Sequence, residues 1–194
     1  MVWPEFKLKR GPQVVLPKDY GAIIAYSGIG KESKCLDAGA GSGWLAVALG
    51  RVAGKVIAYD NRAEFAVLAQ KNAERAGLAN VEIRVRDIIA DGFDEKEADL
   101  VTLDMANSDK VVPHAYAVLK EGGVLSGYLP HTEQLRAFVD ACRKAGFSED
   151  IFCCEVIVRE MLVREAGVRP ANTGLTHTGY LAFARKGDKN PKRG

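Results

Sequence analysis

Four aspartates, Asp37, Asp60, Asp87 and Asp104, close or adjoin four successive apolar runs, and Gly39, Gly41 and Gly43 follow the first of them. In Asp37-Ala38-Gly39-Ala40-Gly41-Ser42-Gly43 the glycines allow a strand-to-helix turn to bring backbone N–H groups against a ligand. An acidic side chain about 20 positions on, ending a second strand, can accept both hydroxyls of a ribose. Asp60 stands there, with Asn61 beside it. The pairing predicts a nucleoside cofactor held by Asp37, Gly39, Ala40, Gly41, Ser42, Gly43, Asp60 and Asn61, with Asp87 placed to accept from its adenine amino group. Read from Gly39, the dinucleotide fingerprint wants its third glycine at Trp44 and fails; read from Gly41, its permissive form is met at Ala46. Spacing alone therefore leaves a dinucleotide open. Asp104 points to the reaction. No cysteine nucleophile adjoins it, and a bare carboxylate suits chemistry that leaves positive charge on an aromatic nitrogen. Adenine N1 fits that description.

The elements that must position these residues can be read from periodicity. At 194 residues, with 47% apolar and 27% charged side chains, the chain is sized for one well-buried soluble domain. No apolar run approaches the roughly 20 residues that span a bilayer. Met1-Val2-Trp3-Pro4-Glu5 lacks the basic start and apolar stretch of a signal peptide, so a cytoplasmic protein is expected. Cys35, Cys142, Cys153 and Cys154 show no metal-ligand spacing; reduced thiols and no metal are expected. The net charge of +2 divides into +7 on residues 1–34 and 155–194 together and −5 on the middle. An acidic middle tolerates a cationic cofactor, and basic ends could hold a polyanion.

An irregular arm (1–16) precedes a helix that begins at Pro17 and ends at Ser27-Gly28. Strands are predicted at 34–38, 55–60, 81–86, 98–104 and 124–128, with helices after the glycines, at 63–76, at 111–119 with Pro113 in its first turn, and at 132–145 with Thr132 as N-cap. Alternation in 81–86 marks an edge strand, and the apolar run in 98–104 a central one. Two late strands, 151–161 and 179–184, are joined by a polar loop around Arg169-Pro170-Ala171-Asn172, and a basic tail (187–194) closes the chain. The fold class is α/β: a doubly wound, mostly parallel sheet with an antiparallel last strand, its ligand at the carboxyl ends of the strands.

The pattern D-x-G-x-G-x-G, with its acidic residue inside the first strand, resembles the cofactor loop of S-adenosylmethionine-dependent methyltransferases, where no pyrophosphate is seated. The resemblance implies S-adenosyl-L-methionine as cofactor and a class I, Rossmann-like methyltransferase domain over 17–186. Asp37 would then organise the turn or meet the methionine ammonium through water. Leu103-Asp104-Met105-Ala106-Asn107-Ser108 lacks the Asn/Asp-Pro-Pro-aromatic run usual in enzymes that methylate exocyclic amines.

Longer segments resemble the tRNA (adenine-N1)-methyltransferase family, its archaeal branch in particular. They are Gly11-Pro12-Gln13-Val14-Val15-Leu16-Pro17-Lys18-Asp19, the glycine turn, Ala98-Asp99-Leu100-Val101-Thr102-Leu103-Asp104 and Leu119-Lys120-Glu121-Gly122-Gly123. Pro130-His131-Thr132-Glu133-Gln134, Arg169-Pro170 and His177-Thr178-Gly179-Tyr180-Leu181-Ala182-Phe183-Ala184-Arg185 complete the set. The resemblance implies transfer to N1 of a T-loop adenine of tRNA, at position 58 and in some archaea also its neighbour, by a homotetramer. By position it puts Asp60 on the cofactor ribose, Asp87 on its adenine and Asp104 on the target base. His131, which follows the fifth strand, is a candidate for the substrate side, and Gln13 and Arg169 are candidates for the RNA or substrate side. Two departures stand out. Family members usually carry a small β-domain before Gly-Pro-Gln, where this chain has ten residues, and Ala106-Asn107-Ser108-Asp109 replaces a proline-rich stretch. A small-molecule methyltransferase and a non-catalytic RNA-binding paralogue remain as alternatives. His177 is expected to fix the last hairpin or a subunit contact.

Overall fold

A computed structural model describes residues 8–11, 13–174 and 177–187. The outer part of the N-terminal arm (1–7), Pro12 and most of the basic tail (188–194) lie outside the described residues. Five strands, β1 (Lys34–Ala38), β2 (Lys55–Asp60), β3 (Val81–Val85), β4 (Ala98–Leu103) and β5 (Leu119–Leu129), pair in parallel. Two more, β6 (Phe152–Glu155) and β9 (Tyr180–Arg185), complete a sheet ordered β3-β2-β1-β4-β5-β9-β6, in which β9 is antiparallel to both its neighbours. The mostly parallel α/β sheet expected from the sequence is present, with β3 at an edge and β4 central.

Period-two alternation divides the core between the two faces of this sheet. Leu36, Ile57, Tyr59, Val101, Leu103 and Leu125 pack against Val111, Val112 and Ala115 of α5 (Ser108–Val118) and Phe138 and Cys142 of α6 (Thr132–Ala145). Their neighbours Cys35, Val56, Ala58, Leu100 and Val124 face Ile23 of α1 (Pro17–Ser27), Leu45 and Leu49 of α2 (Trp44–Gly50) and Ala69 and Ala73 of α3 (Ala63–Arg75). Helices on both faces bury the central strands completely, which is why those strands read as continuous apolar runs.

The structure corrects several expectations. A short helix, α4 (Ile88–Asp91), follows β3 directly. α5 starts at Ser108 rather than 111, because Asn107 adopts a left-handed conformation and its carbonyl accepts from Lys110 N at 3.0 Å. Pro113 therefore sits inside the helix and not in its first turn. β5 begins at Leu119; Lys186 N donates to Gly123 O and Gly122 N to Lys186 O, both at 2.9 Å, so the glycines do not delay the strand. His131, not Thr132, occupies the N-cap of α6. The late strand expected over 151–161 stops at Glu155, and residues expected in a polar loop form a separate hairpin, β7 (Met161–Arg164) and β8 (Gly167–Pro170). Alternating apolar residues there belong to a two-stranded sheet of their own.

Candidate active site

The site begins with the register of β1 between β2 and β4. Ala38 pairs with Leu103, so the chain leaving β4 passes directly beside Gly39, and Asp104 N donates to Ala38 O at 2.9 Å. Gly39 has φ 89°, and a Cβ there would overlap the Asp104 carbonyl. Gly43, at φ 78°, brings the turn within 2.8 Å of the Ala69 Cβ for any side chain placed on it. Close approach is thus what these two glycines supply. Four of the turn's N–H groups are bonded within the protein. Gly39 N and Ala40 N both donate to Tyr59 O at 2.9 Å, Gly43 N donates to Ala40 O at 2.7 Å, and Gly41 N donates to Asp60 Oδ2 at 2.9 Å. The turn is laced to β2, which leaves those four donors engaged before any ligand arrives. Asn72, fully buried, braces it further through bonds of 2.8 Å to Ser42 O and Lys9 O.

Four carboxylates meet around this turn in different states. Asp37 is buried in β1; Thr102 Oγ1 donates to its Oδ1 at 2.6 Å, and its Oδ2 has no hydrogen-bond partner among the described residues. Burial pushes it up to about 6, with the Thr102 bond opposing and Asp60 adding to the rise. Asp60, buried at the end of β2, already accepts from Gly41 N and from Arg62, whose backbone N and Nε lie 3.0 and 3.1 Å from Oδ1. Asp87 is the N-cap of α4, its Oδ1 accepting from Ile89 N at 2.9 Å and Ala90 N at 3.3 Å. Asp104 has no side-chain partner among the described residues, and burial first, then the Asp37 charge, pushes it up to about 7.

Gly39, Asp60, Asn61, Asp87 and Asp104 line one cleft of about 400 Å³, together with Tyr59, Arg62, Arg86, Ile88, Ile89, Met105, Ala106 and Asn107. That volume lies within the range of small-molecule and cofactor sites. Ala40 and Ser42 are buried beneath the turn, and Asp37 stands behind the cleft wall. Gly41 and Gly43 are likewise absent from its lining, and three more expected residues lie outside it. Gln13 is exposed just beyond Gly11, whose Cα faces Ser42; His131 is exposed before α6; and Arg169 lies on β8, donating to Asn172 Oδ1 at 2.9 Å. Arg62, Ile88, Ile89 and Asn107 escaped the sequence reading. Asp87 followed by Ile88-Ile89-Ala90 carried a capping signal for α4, but a helix of four residues has too few turns to show periodicity.

The donor set fits a nucleoside that carries positive charge. Three carboxylates line the cleft and a fourth lies behind it, with one buried oxygen lacking a partner. The cleft's two cations, Arg62 and Arg86, are paired with Asp60 and Asp94, and the N–H groups of Gly39, Ala40, Gly41 and Gly43 are occupied, so a pyrophosphate would find few free donors there. Among the described residues no group of three or more His, Cys, Asp or Glu could hold a metal ion.

Comparison with known proteins agrees with this chemistry. Residues 2–174 match the profile of the family described as tRNA methyltransferase complex GCD14 subunit. The chain is 36% identical to tRNA (adenine(57)-N(1)/adenine(58)-N(1))-methyltransferase of Methanocaldococcus jannaschii, over 92% of this chain and 73% of that protein. Among solved structures it superposes on a tRNA (m1A58) methyltransferase from Aquifex aeolicus with TM-score 0.86 and 26% identity, covering 93% of this chain and 72% of that one. A SAM-dependent O-methyltransferase from Thermotoga maritima gives TM-score 0.87 and 32% identity, covering 94% and 69%.

Proposed function

The chain belongs to the GCD14 family of tRNA methyltransferase subunits, and from that premise we propose that it transfers a methyl group from S-adenosyl-L-methionine to N1 of an adenine in the T-loop of tRNA, at position 58 with or without its neighbour. One observation carries the reading: Asp104, a carboxylate without a side-chain partner, stands in the same cleft as Asp60 and Asp87. When bound, the cofactor supplies an electrophilic methyl on a sulfonium that departs as a neutral thioether, so the transfer requires no metal.

The chain's own residues then have distinct tasks. Asp60 accepts the ribose hydroxyls, exchanging Arg62 for them. Asp87 keeps Oδ1 on the start of α4 and offers Oδ2 to the cofactor's adenine amino group. Asp37, too deep to line the cleft, acts through its field. Asp104 accepts from N6 of the target adenine, which turns the N1 lone pair toward the methyl and favours the cationic product. N1 carries no proton, so no base is needed. The target is stacked inside folded tRNA and must be turned out to reach this depth. Gln13, His131 and Arg169, all exposed, are assigned to the RNA side. The protein acts in the cytoplasm as a homotetramer; apolar side chains exposed on the β7–β8 hairpin support an assembly, and no helix among the described residues is long and apolar enough to cross a membrane.

Labelled methyl transfer to unmodified tRNA, followed by identification of the modified nucleoside, tests the reading. The expected product is 1-methyladenosine, lost when the T-loop adenine is replaced. Label that persists after the replacement, or transfer to a small metabolite without RNA, would overturn it.

A further inference from the structure

One carboxylate accepting one N6–H cannot by itself fix the rotation of a purine about that bond. Asn107, three residues beyond Asp104, lines the same cleft. It holds a left-handed backbone, φ 58° and ψ 36°, a conformation that asparagine tolerates better than most residues. As the residue preceding α5, its side chain would ordinarily bond the first free N–H groups of the helix. It makes no such bond, and among the described residues its amide has no hydrogen-bond partner. The side chain is exposed where the cleft opens, while Asp104 lies deeper.

We propose that Asn107 reads the N6/N7 edge of the target adenine, its Oδ1 accepting the second N6–H and its Nδ2 donating to N7. This inference rests on the proposed adenine-N1 reaction. N1 must stay free to take the methyl, so the ring can be gripped only from its other polar atoms. The amide of asparagine matches the adjacent N6 donor and N7 acceptor bidentately. Asp104 takes the N6–H on the N1 side and Asn107 the one on the N7 side, which fixes the ring in its plane. Guanine would set its O6 lone pairs against both the Asp104 carboxylate and Asn107 Oδ1, leaving both acceptors unpaired.

The test uses full-length protein and tRNA with either adenosine or 7-deazaadenosine at the target position, read as kcat/KM. The native protein should lose about tenfold on the 7-deaza substrate. Asn107→Gly, which keeps the positive φ and removes the amide, should lose a comparable factor on ordinary tRNA and nothing further on the analogue. Its cofactor affinity and melting temperature should match the native protein's. A native enzyme indifferent to the missing N7, or a glycine variant that still loses tenfold on the analogue, would overturn the assignment. No transfer by the native protein to either tRNA would instead defeat the adenine-N1 reading itself, and this assignment with it.

Discussion

At Asp104 burial and a neighbouring charge act in the same direction. Buried and close to Asp37, its carboxyl is pushed up to about 7 from an ordinary value near 4. The folded protein therefore holds a proton there that the unfolded chain has released, and stability falls as pH rises across that interval. Asp104→Asn removes the charge and keeps the shape. We expect it to melt several degrees above the native protein at pH 8 without cofactor, with the gain vanishing near pH 4. Methyl transfer should be abolished while cofactor affinity, by calorimetry, stays within a few fold. Undiminished turnover would take Asp104 out of the mechanism. Arg62 makes a second prediction. Its exposed guanidinium bonds the buried Asp60 carboxylate, the group proposed to accept the ribose hydroxyls, and stacks 3.9 Å from the Phe65 ring centroid. An ion pair with an exposed partner stabilises by about 0.2–1 kcal/mol, so Arg62→Ala should tighten cofactor binding by a factor of about 1.4 to 5. Weaker binding would mean that the arginine itself touches the cofactor.

Between elements, the ends of β5, β6, β9 and α1 are joined by a polar cluster that the sequence showed only as a specific run of letters. Lys18, nearly buried, donates to Asp19 Oδ1 at 2.7 Å, Val156 O at 2.6 Å and Thr178 Oγ1 at 2.5 Å, and Tyr128 donates to Thr178 O at 2.8 Å. His177 lies 2.5 Å from Glu155 Oε1 through Nδ1 and 3.0 Å from Pro130 O through Nε2. Both partners accept, so the ring satisfies them together only as a cation. The Glu155 bond raises its pKa. A raised histidine stabilises fully below its unfolded value and loses that contribution as pH rises through the folded one. An NMR titration should find His177 above about 6.5, and Glu155→Gln should move it down. An unmoved midpoint would separate the two residues. The expected role of His177 in holding the last hairpin agrees with these contacts, which bind the start of β9 to its neighbours.

At the scale of the whole molecule, the β7–β8 hairpin exposes apolar side chains among the described residues. Val163 and Val168 pair across it, 76% and 63% exposed, with Met161 half exposed on the same face two residues along. Apolar stripes of this kind mark surfaces that another chain covers. We place this hairpin at a subunit contact of the proposed homotetramer. The double variant Val163→Glu with Val168→Glu should sediment as a smaller species with an unchanged fold by circular dichroism. An unchanged mass would exclude the hairpin from the interface.

Periodicity and glycine spacing determined the parallel sheet, its central and edge strands, and the acids around one cleft, because strand alternation and turn conformation are local properties of the chain. Asp37, Asp60 and Asp104 could be placed from strand ends alone. Only the tertiary structure decided how their oxygens are used. It engaged the turn's N–H groups with β2, set Arg62 on Asp60, made Asp87 a helix cap, and brought Asn107 to the cleft beside Asp104. The late hairpin likewise escaped because its alternating residues look the same whether they join a main sheet or stand apart. The bonds from the turn to β2 and the separate pairing of the hairpin depend on which distant segments become neighbours, which spacing does not encode. The Arg62, Asp87 and Asn107 contacts are local but depend on backbone angles that residue types alone do not fix.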